Sequence, residues 1–197
     1  MKQVVFCSAL RTIFLPKVNS RGQGLKSLPV EKYLRVTKSA KHGRGVYARE
    51  PIPNGVKIIE YVGKLVPVKD SDGIAEKQMT RAGKSGTGHV YLFTLNRKYD
   101  IDGYVSWNTA RLINHSCDPN CEVYIVQGRI WVHAKRAIEA GEELTYDYGF
   151  NMDSWEDHIC RCGTKKCLGY IVSASRRGAL ARVLKKRSGQ IRQKTRR

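Results

Sequence analysis

A mainly β fold of several small sheets is what this 197-residue chain predicts, and three observations carry the prediction. Apolar residues recur mostly with period two, in short runs rich in branched and aromatic side chains and bounded by Gly, Pro, Asn or Asp. Helical periodicity is confined to three short stretches. Four cysteines in two distant places have the spacing of one tetrahedral metal site, which would tie long connections together.

The elements follow in order. Val46-Tyr47-Ala48 is strand-like, with Pro51 close behind. Val56-Lys57-Ile58-Ile59-Glu60-Tyr61-Val62 reads as a strand, Ile74 to Arg81 as a short helix, and Val90-Tyr91-Leu92-Phe93-Thr94-Leu95 as the next strand. A helical piece is expected from Trp107 to Ile113. Cys121–Val126 and Arg129–His133 form a hairpin across Gln127-Gly128, whose glycine supplies the positive φ of a tight turn. Ala179 to Lys186 is the last helix.

Charge divides the chain. Residues 174–197 hold ten Lys or Arg and no acid, and residues 1–38 hold eight and one acid; residues 39–173 are close to neutral. A globular core between basic arms is the expectation, with residues 17–32 a flexible lead-in. No apolar run approaches the length of a membrane span. The start, Met1-Lys2 and then Val4 to Leu10, loosely mimics a signal peptide, but Arg11 cuts the apolar stretch short and no convincing cleavage site follows. An intracellular protein without a membrane partner is expected.

Six cysteines could be a disulfide framework, but such frameworks belong to short secreted chains without a core, and 41% of this chain is apolar. Two thiols separated by Arg161 alone are poorly placed to bridge each other, whereas zinc accepts thiolates at close spacing. Cys117 with Cys160-x-Cys162-x4-Cys167 therefore reads as one structural zinc site; Cys7 and Cys121 read as bystander thiols. Two motifs fail. Gly83-Lys84-Ser85 ends like a phosphate-binding loop, but Gln78 stands where that loop needs its first glycine. His42-Gly43-Arg44-Gly45 lacks the third glycine of a dinucleotide fingerprint and runs into a strand.

Six further pieces occur in order: Gly43-x-Gly45-x-Tyr47, Glu60-Tyr61-Val62-Gly63, Tyr91-Leu92-Phe93, Arg111 to Asn120 with its Asn114-His115-Ser116-Cys117 centre, Gly141-Glu142-Glu143-Leu144-Thr145-Tyr146-Asp147-Tyr148, and the three-cysteine cluster. Together they resemble the SET-domain protein-lysine methyltransferases with a post-SET zinc motif, of the mixed-lineage-leukaemia and trithorax type, over roughly residues 33–171. The resemblance implies small curved sheets with a knot-like C-terminal segment, a SET domain over residues 33–150, a post-SET segment over 151–173, and basic extensions over 1–32 and 174–197.

It also implies S-adenosylmethionine as donor and a lysine of a histone or histone-like DNA-associated protein as acceptor. By resemblance Tyr148 is the catalytic tyrosine, Tyr146 sets the product state and Tyr91 lines the lysine channel. His42, Gly43, Arg44, Gly45, Tyr91, Asn114, His115, Tyr148, Arg161 and Leu168 would hold the donor. A hydroxyl at Tyr146 leaves less room for added methyls, so mono- or dimethylation is expected. His89, His133 and His158 are read as structural or exposed.

Two departures stand out: Trp107 where glycine is usual, expected to alter packing beside the donor, and Lys64 where an acid is common. Substrate choice is expected to rest on residues 66–90, the post-SET end and the arms. The arms admit two readings, contact with DNA or a solvated tail. The competing function is a catalytically silent zinc scaffold that binds nucleic acid. The resemblance places the protein in a nucleus, on chromatin, if it is eukaryotic, and in the cytoplasm if prokaryotic.

Overall fold

A computed structural model describes residues 33–41, 43–85, 90–153 and 155–194. The lead-in, Cys7, His42 and His89 lie outside the described residues. Ten strands form four small sheets: β1 (Leu34–Lys38) with β2 (Arg44–Ala48); β3 (Lys57–Tyr61), β9 (Arg129–Ala134) and β8 (Cys121–Val126); β4 (Lys64–Pro67), β6 (Tyr99–Asp102) and β5 (Leu92–Thr94); and β7 (Asn114–His115) with β10 (Thr145–Tyr146). The mainly β expectation holds, and each strand expected from period two is present.

The hairpin β8–β9 turns at Gln127 and Gly128, with φ of 50° and 72°. Both residues adopt the left-handed conformation that matches strand twist in a two-residue turn, so Gln127 shares the role expected of the glycine alone. Inward side chains of β3, β8 and β9 meet those of β2 in one core containing Val46, Ile59, Ile130, Val132 and Leu144, all buried. Each such side chain contributes about 1.5–3 kcal/mol on burial.

Helix α1 spans Val68–Ser85, longer than the expected 74–81. The run Lys69-Asp70-Ser71-Asp72-Gly73 has turn chemistry, but tertiary contacts override it. Ser71 is buried and donates to Asp100 at 2.5 Å, while Gln78 donates to Asp102 and accepts the Tyr91 N–H, both at 2.8 Å. These bonds fasten α1 to the β4–β6–β5 sheet and fix the backbone at Tyr91. The piece expected at 107–113 is a 3-10 turn, Thr109–Leu112.

The last helix, α2 (Arg177–Lys194), is not a free tail. Leu180 is fully buried against Val172 and Trp155, with Val183 and Leu184 packed alongside, and the Arg187 guanidinium lies 5.1 Å from the Trp155 ring. The solvated-tail reading therefore fails for the first turns of this helix. No helix among the described residues is long and apolar enough to cross a membrane.

Candidate active site

The parallel pair β7–β10 is the pivot. Asn114 pairs with Thr145 and His115 with Tyr146, so the Asn-His motif and the Tyr-Asp-Tyr motif, thirty residues apart in sequence, lie side by side. The Ser116 N–H extends the pairing to the Tyr146 carbonyl at 3.2 Å.

Buried Glu143 organises one flank. Its carboxylate accepts from Ser39 at 2.7 Å, Lys41 at 2.8 Å and the Asn114 amide at 2.8 Å. Burial pushes its pKa up, but these donors outweigh burial and hold it below the usual carboxylate range. Asn114 gives its other amide hydrogen to the Arg44 carbonyl at 3.1 Å, so its side chain braces the β1–β2 turn. Gly45 is required there: a Cβ would strike the Glu143 carboxylate and sit 3.2 Å from Ser39 Cβ. Gly43, at φ 51°, is open, with nothing within 4 Å of the position a Cβ would take. That turn therefore offers bare backbone to a ligand.

Tyrosines build the next wall. The Tyr148 hydroxyl donates to the Ile113 carbonyl at 3.0 Å, and its ring lies 5.0 Å from Tyr146 and 5.3 Å from His115. Tyr146 is buried, 6.3 Å from Phe93. Tyr91 lies between the Tyr104 ring, stacked at 5.6 Å, and the Arg111 guanidinium at 5.4 Å. Tyr61 donates to the Tyr91 carbonyl at 2.8 Å. Burial raises the pKa of Tyr61, Tyr91 and Tyr148, with the Arg111 charge opposing it at Tyr91. All three remain neutral hydroxyls that can donate.

His115 links this wall to the cysteines. Its Nδ1 accepts the Tyr148 N–H at 3.2 Å, which leaves the proton on Nε2, 3.5 Å from Cys117 Sγ. Burial pulls its pKa down to about 4; Asp147 opposes this and Arg177 adds to it. Both nitrogens of a neutral ring are thereby committed.

Cys117, Cys160, Cys162 and Cys167 bring their sulfurs within 4.8 Å of one another. Cys117 and Cys160 are 3.8 Å apart, the edge of a tetrahedron with zinc–sulfur bonds of about 2.3 Å. Backbone N–H groups of Cys117 and Gly169 point at Cys162 and Cys167 sulfurs at 3.5 and 3.3 Å, as suits thiolates. Burial and mutual repulsion push Cys117 up, and burial takes Cys160 to about 12. At Cys162 burial is outweighed by hydrogen bonds from Thr164 and backbone, giving about 6. A divalent cation relieves that repulsion, so the donor set fits a metal.

A family model, the SET domain, matches residues 43–149, more than half the chain. This chain belongs to the SET-domain family. Similar curated relatives include a histone-lysine N-methyltransferase, H3 lysine-4 specific, of Yarrowia lipolytica, 40% identical over 72% of this chain and 12% of that protein. Its counterpart in Mycosarcoma maydis is 43% identical over 72% of this chain and 10% of that protein. Histone-lysine N-methyltransferase SETD1 of Drosophila melanogaster is 38% identical over 71% and 8%. The chain thus spans a small part of the curated relatives it matches.

Within this SET domain, Tyr91, Tyr146, Tyr148, Asn114, His115 and the four cysteines come together as neighbours. Gly43, Arg44 and Gly45 join them through Asn114 and Glu143. Arg161 is exposed between two cysteines, and Leu168 packs on the Trp155–Val172–Leu180 cluster. Trp107 is 66% exposed while Asn108 beside it is buried. Sequence reasoning missed Glu143, Tyr61, Asp147 and Arg177 as individuals. The first three stood inside quoted motifs; Arg177 was one of ten positive charges.

Proposed function

We propose that this chain is a protein-lysine N-methyltransferase module that uses S-adenosylmethionine to methylate a histone lysine. The observation that carries the reading is the tyrosine wall joined through His115 to the cysteine cluster: the Tyr146 and Tyr148 rings lie 5.0 Å apart, and His115 accepts the Tyr148 N–H while its other nitrogen lies 3.5 Å from Cys117 Sγ. Gly43, Arg44, Gly45, Asn114, His115, Tyr148, Arg161 and Leu168 would hold the donor, and Gly43's open face fits a ligand lying on backbone. His42, outside the described residues, belongs to the same proposal. When bound, the donor supplies a methyl on a positively charged sulfur that leaves as a neutral thioether.

The residues then have defined tasks. Free lysine has a pKa of about 10.4, so the site must favour the neutral amine. Aromatic walls at Tyr91, Tyr146 and Tyr148 do so by desolvation and hold the amine in line for displacement. The displaced ammonium proton goes to water. His115 cannot take it, because its acceptor nitrogen is engaged by the Tyr148 N–H. Asp147 is engaged by Gly149, Ala174 and Arg177. One zinc held by the four cysteines would fix the segments 114–117 and 160–168 as parts of one pocket, with no open coordination position for hydrolysis.

Transfer of labelled methyl to core histones tests the reading: turnover is expected in the wild type and lost in Tyr148→Phe, and a zinc-loaded, folded wild type without turnover overturns it. The H3 tail is the first peptide to try, since several relatives carry that specificity in their names. The buried Tyr146 ring lies 5.0 Å from that of Tyr148, and its hydroxyl would leave less room for added methyls, which favours mono- and dimethylated product. Mass spectrometry should find higher states in Tyr146→Phe; predominant trimethylation by the wild type would sink that part.

A nuclear, chromatin-bound setting follows from a histone substrate. Contact with DNA is supported by α2, on which Arg182, Lys185 and Lys186 are exposed and turn away from buried Leu180. Changing these three to Glu should abolish salt-sensitive retention of DNA on a filter; unchanged retention removes the role.

A further inference from the structure

Arg177, the first residue of α2, reaches back into the site. Its Nη1 donates to the Cys117 carbonyl at 2.5 Å, Nη2 to Asp147 Oδ2 at 2.8 Å, and Nε to the Val172 carbonyl at 3.3 Å. The guanidinium side chain is only 15% exposed and the Asp147 side chain 22%. One planar group thus joins the cysteine knuckle, the segment between Tyr146 and Tyr148, and the chain leaving the thiol cluster.

Asp147 is the matching hub. Its Oδ2 also accepts the Ala174 N–H at 2.8 Å, and its Oδ1 accepts the Gly149 N–H at 3.0 Å. Tyr148 therefore sits between two fixed points, the Asp147 carboxylate before it and the Gly149 amide after it. The helix that carries Arg177 is itself held by Leu180 and Val172, both fully buried. A lysine in this place would keep the charge but could not divide planar N–H groups among two carbonyls and a carboxylate.

We infer that Arg177 is a positioning residue for methyl transfer, which makes the helix beyond the cysteine cluster a working part of the active site. The inference rests on the proposed transfer reaction. It acts through Asp147, setting the Tyr146–Tyr148 segment against Cys117, and it touches neither donor nor acceptor.

The test compares Arg177→Ala, Arg177→Lys, Asp147→Asn and, as a control for helix docking alone, Leu180→Ala, all in the full chain. Arg177→Ala should lower kcat by about tenfold or more with donor KM little changed, because orientation rather than binding is lost. Arg177→Lys should recover little. Millimolar methylguanidinium should restore turnover in Arg177→Ala and leave Leu180→Ala unaffected, a response that simple destabilisation does not give. Arg177→Ala combined with Asp147→Asn should be no worse than the poorer single variant. Wild-type kcat in Arg177→Ala, or a loss matched by Leu180→Ala and unmoved by methylguanidinium, overturns the inference. A wild type without turnover would remove the proposed reaction instead. In that case zinc release to a chelator reads the clamp: faster release from Arg177→Ala than from Leu180→Ala supports it, and equal rates overturn it.

Discussion

The tyrosine wall and the thiol cluster meet at His115, yet they are held by different means. Tyr146 belongs to the large aliphatic core, and Tyr91 is fixed by Tyr61 and Gln78. The cysteines have a core of little more than themselves: Cys117, Cys160 and Cys162 with Cys167 and Ile171 packed against them. Dispersion and ladder bonds maintain the first region without help. The second gathers four sulfurs that would repel one another as thiolates, an arrangement that fits a cation. If the four cysteines hold the proposed zinc, one half of the site folds with the sheets and the other with its metal.

Metal removal should separate the halves most sharply. Chelation under reducing conditions is expected to reduce methyl transfer by about a hundredfold or more, as a lost structural metal costs folding energy outright. The sheet signal in circular dichroism should persist, since the main core lies elsewhere. Full turnover after metal loss verified by elemental analysis would break the comparison.

Gly45→Ala strikes the junction from the other side. The new Cβ has no room unless the Glu143 carboxylate moves, and that carboxylate holds Ser39, Lys41 and Asn114. A cost of about 1–3 kcal/mol is expected, typical of overpacking, with weakened donor binding by calorimetry and unchanged zinc content. Unaltered stability and affinity would mean that the turn gives way freely.

Acid should discriminate next. His115 is neutral in the fold with a pKa of about 4, whereas an unfolded histidine titrates near 6.5. In that interval the unfolded chain binds a proton that native His115 refuses, so stability present above about 6.5 is lost as pH falls towards 4. The imidazole resonance of His115 should titrate near 4, and the urea midpoint should drop across the interval. A His115 midpoint at 6 or above would contradict the burial argument.

What could be read without coordinates differs between the halves in the same way. Arg129–Ala134 declares itself because alternation is a local consequence of one buried face, and Cys121–Val126 through its run of branched and aromatic residues. The thiol cluster was legible because metal ligands are few and their spacing is restrictive. Short β4 and β6 were missed: Tyr99–Asp102 carries acids that, in the fold, meet Ser71 and Gln78 of α1. Arg177 and Glu143 were illegible for a related reason. A salt-bridging or hydrogen-bonding partner far along the chain leaves no periodic trace, and in sequence either residue looks like solvated charge.

The mildest perturbation tests whether the tyrosine half is as self-supporting as its core implies. Tyr61→Phe removes one hydroxyl that donates to the Tyr91 carbonyl at 2.8 Å. That carbonyl still accepts the Gly103 N–H at 2.7 Å, so no buried acceptor is left bare. The loss should be that of one net hydrogen bond, about 0.5–1.5 kcal/mol, rather than the larger penalty of an orphaned group. The Tyr61 ring, 5.2 Å from Phe93, remains in place and keeps the aromatic packing. Tyr91 gains slight freedom at the mouth of the proposed channel, so peptide KM should rise by a few fold while kcat is nearly unchanged. A collapse of kcat in Tyr61→Phe would show that the Tyr91 backbone is as dependent on a single contact as the cysteines are on their ion, and the contrast between the two halves would fail.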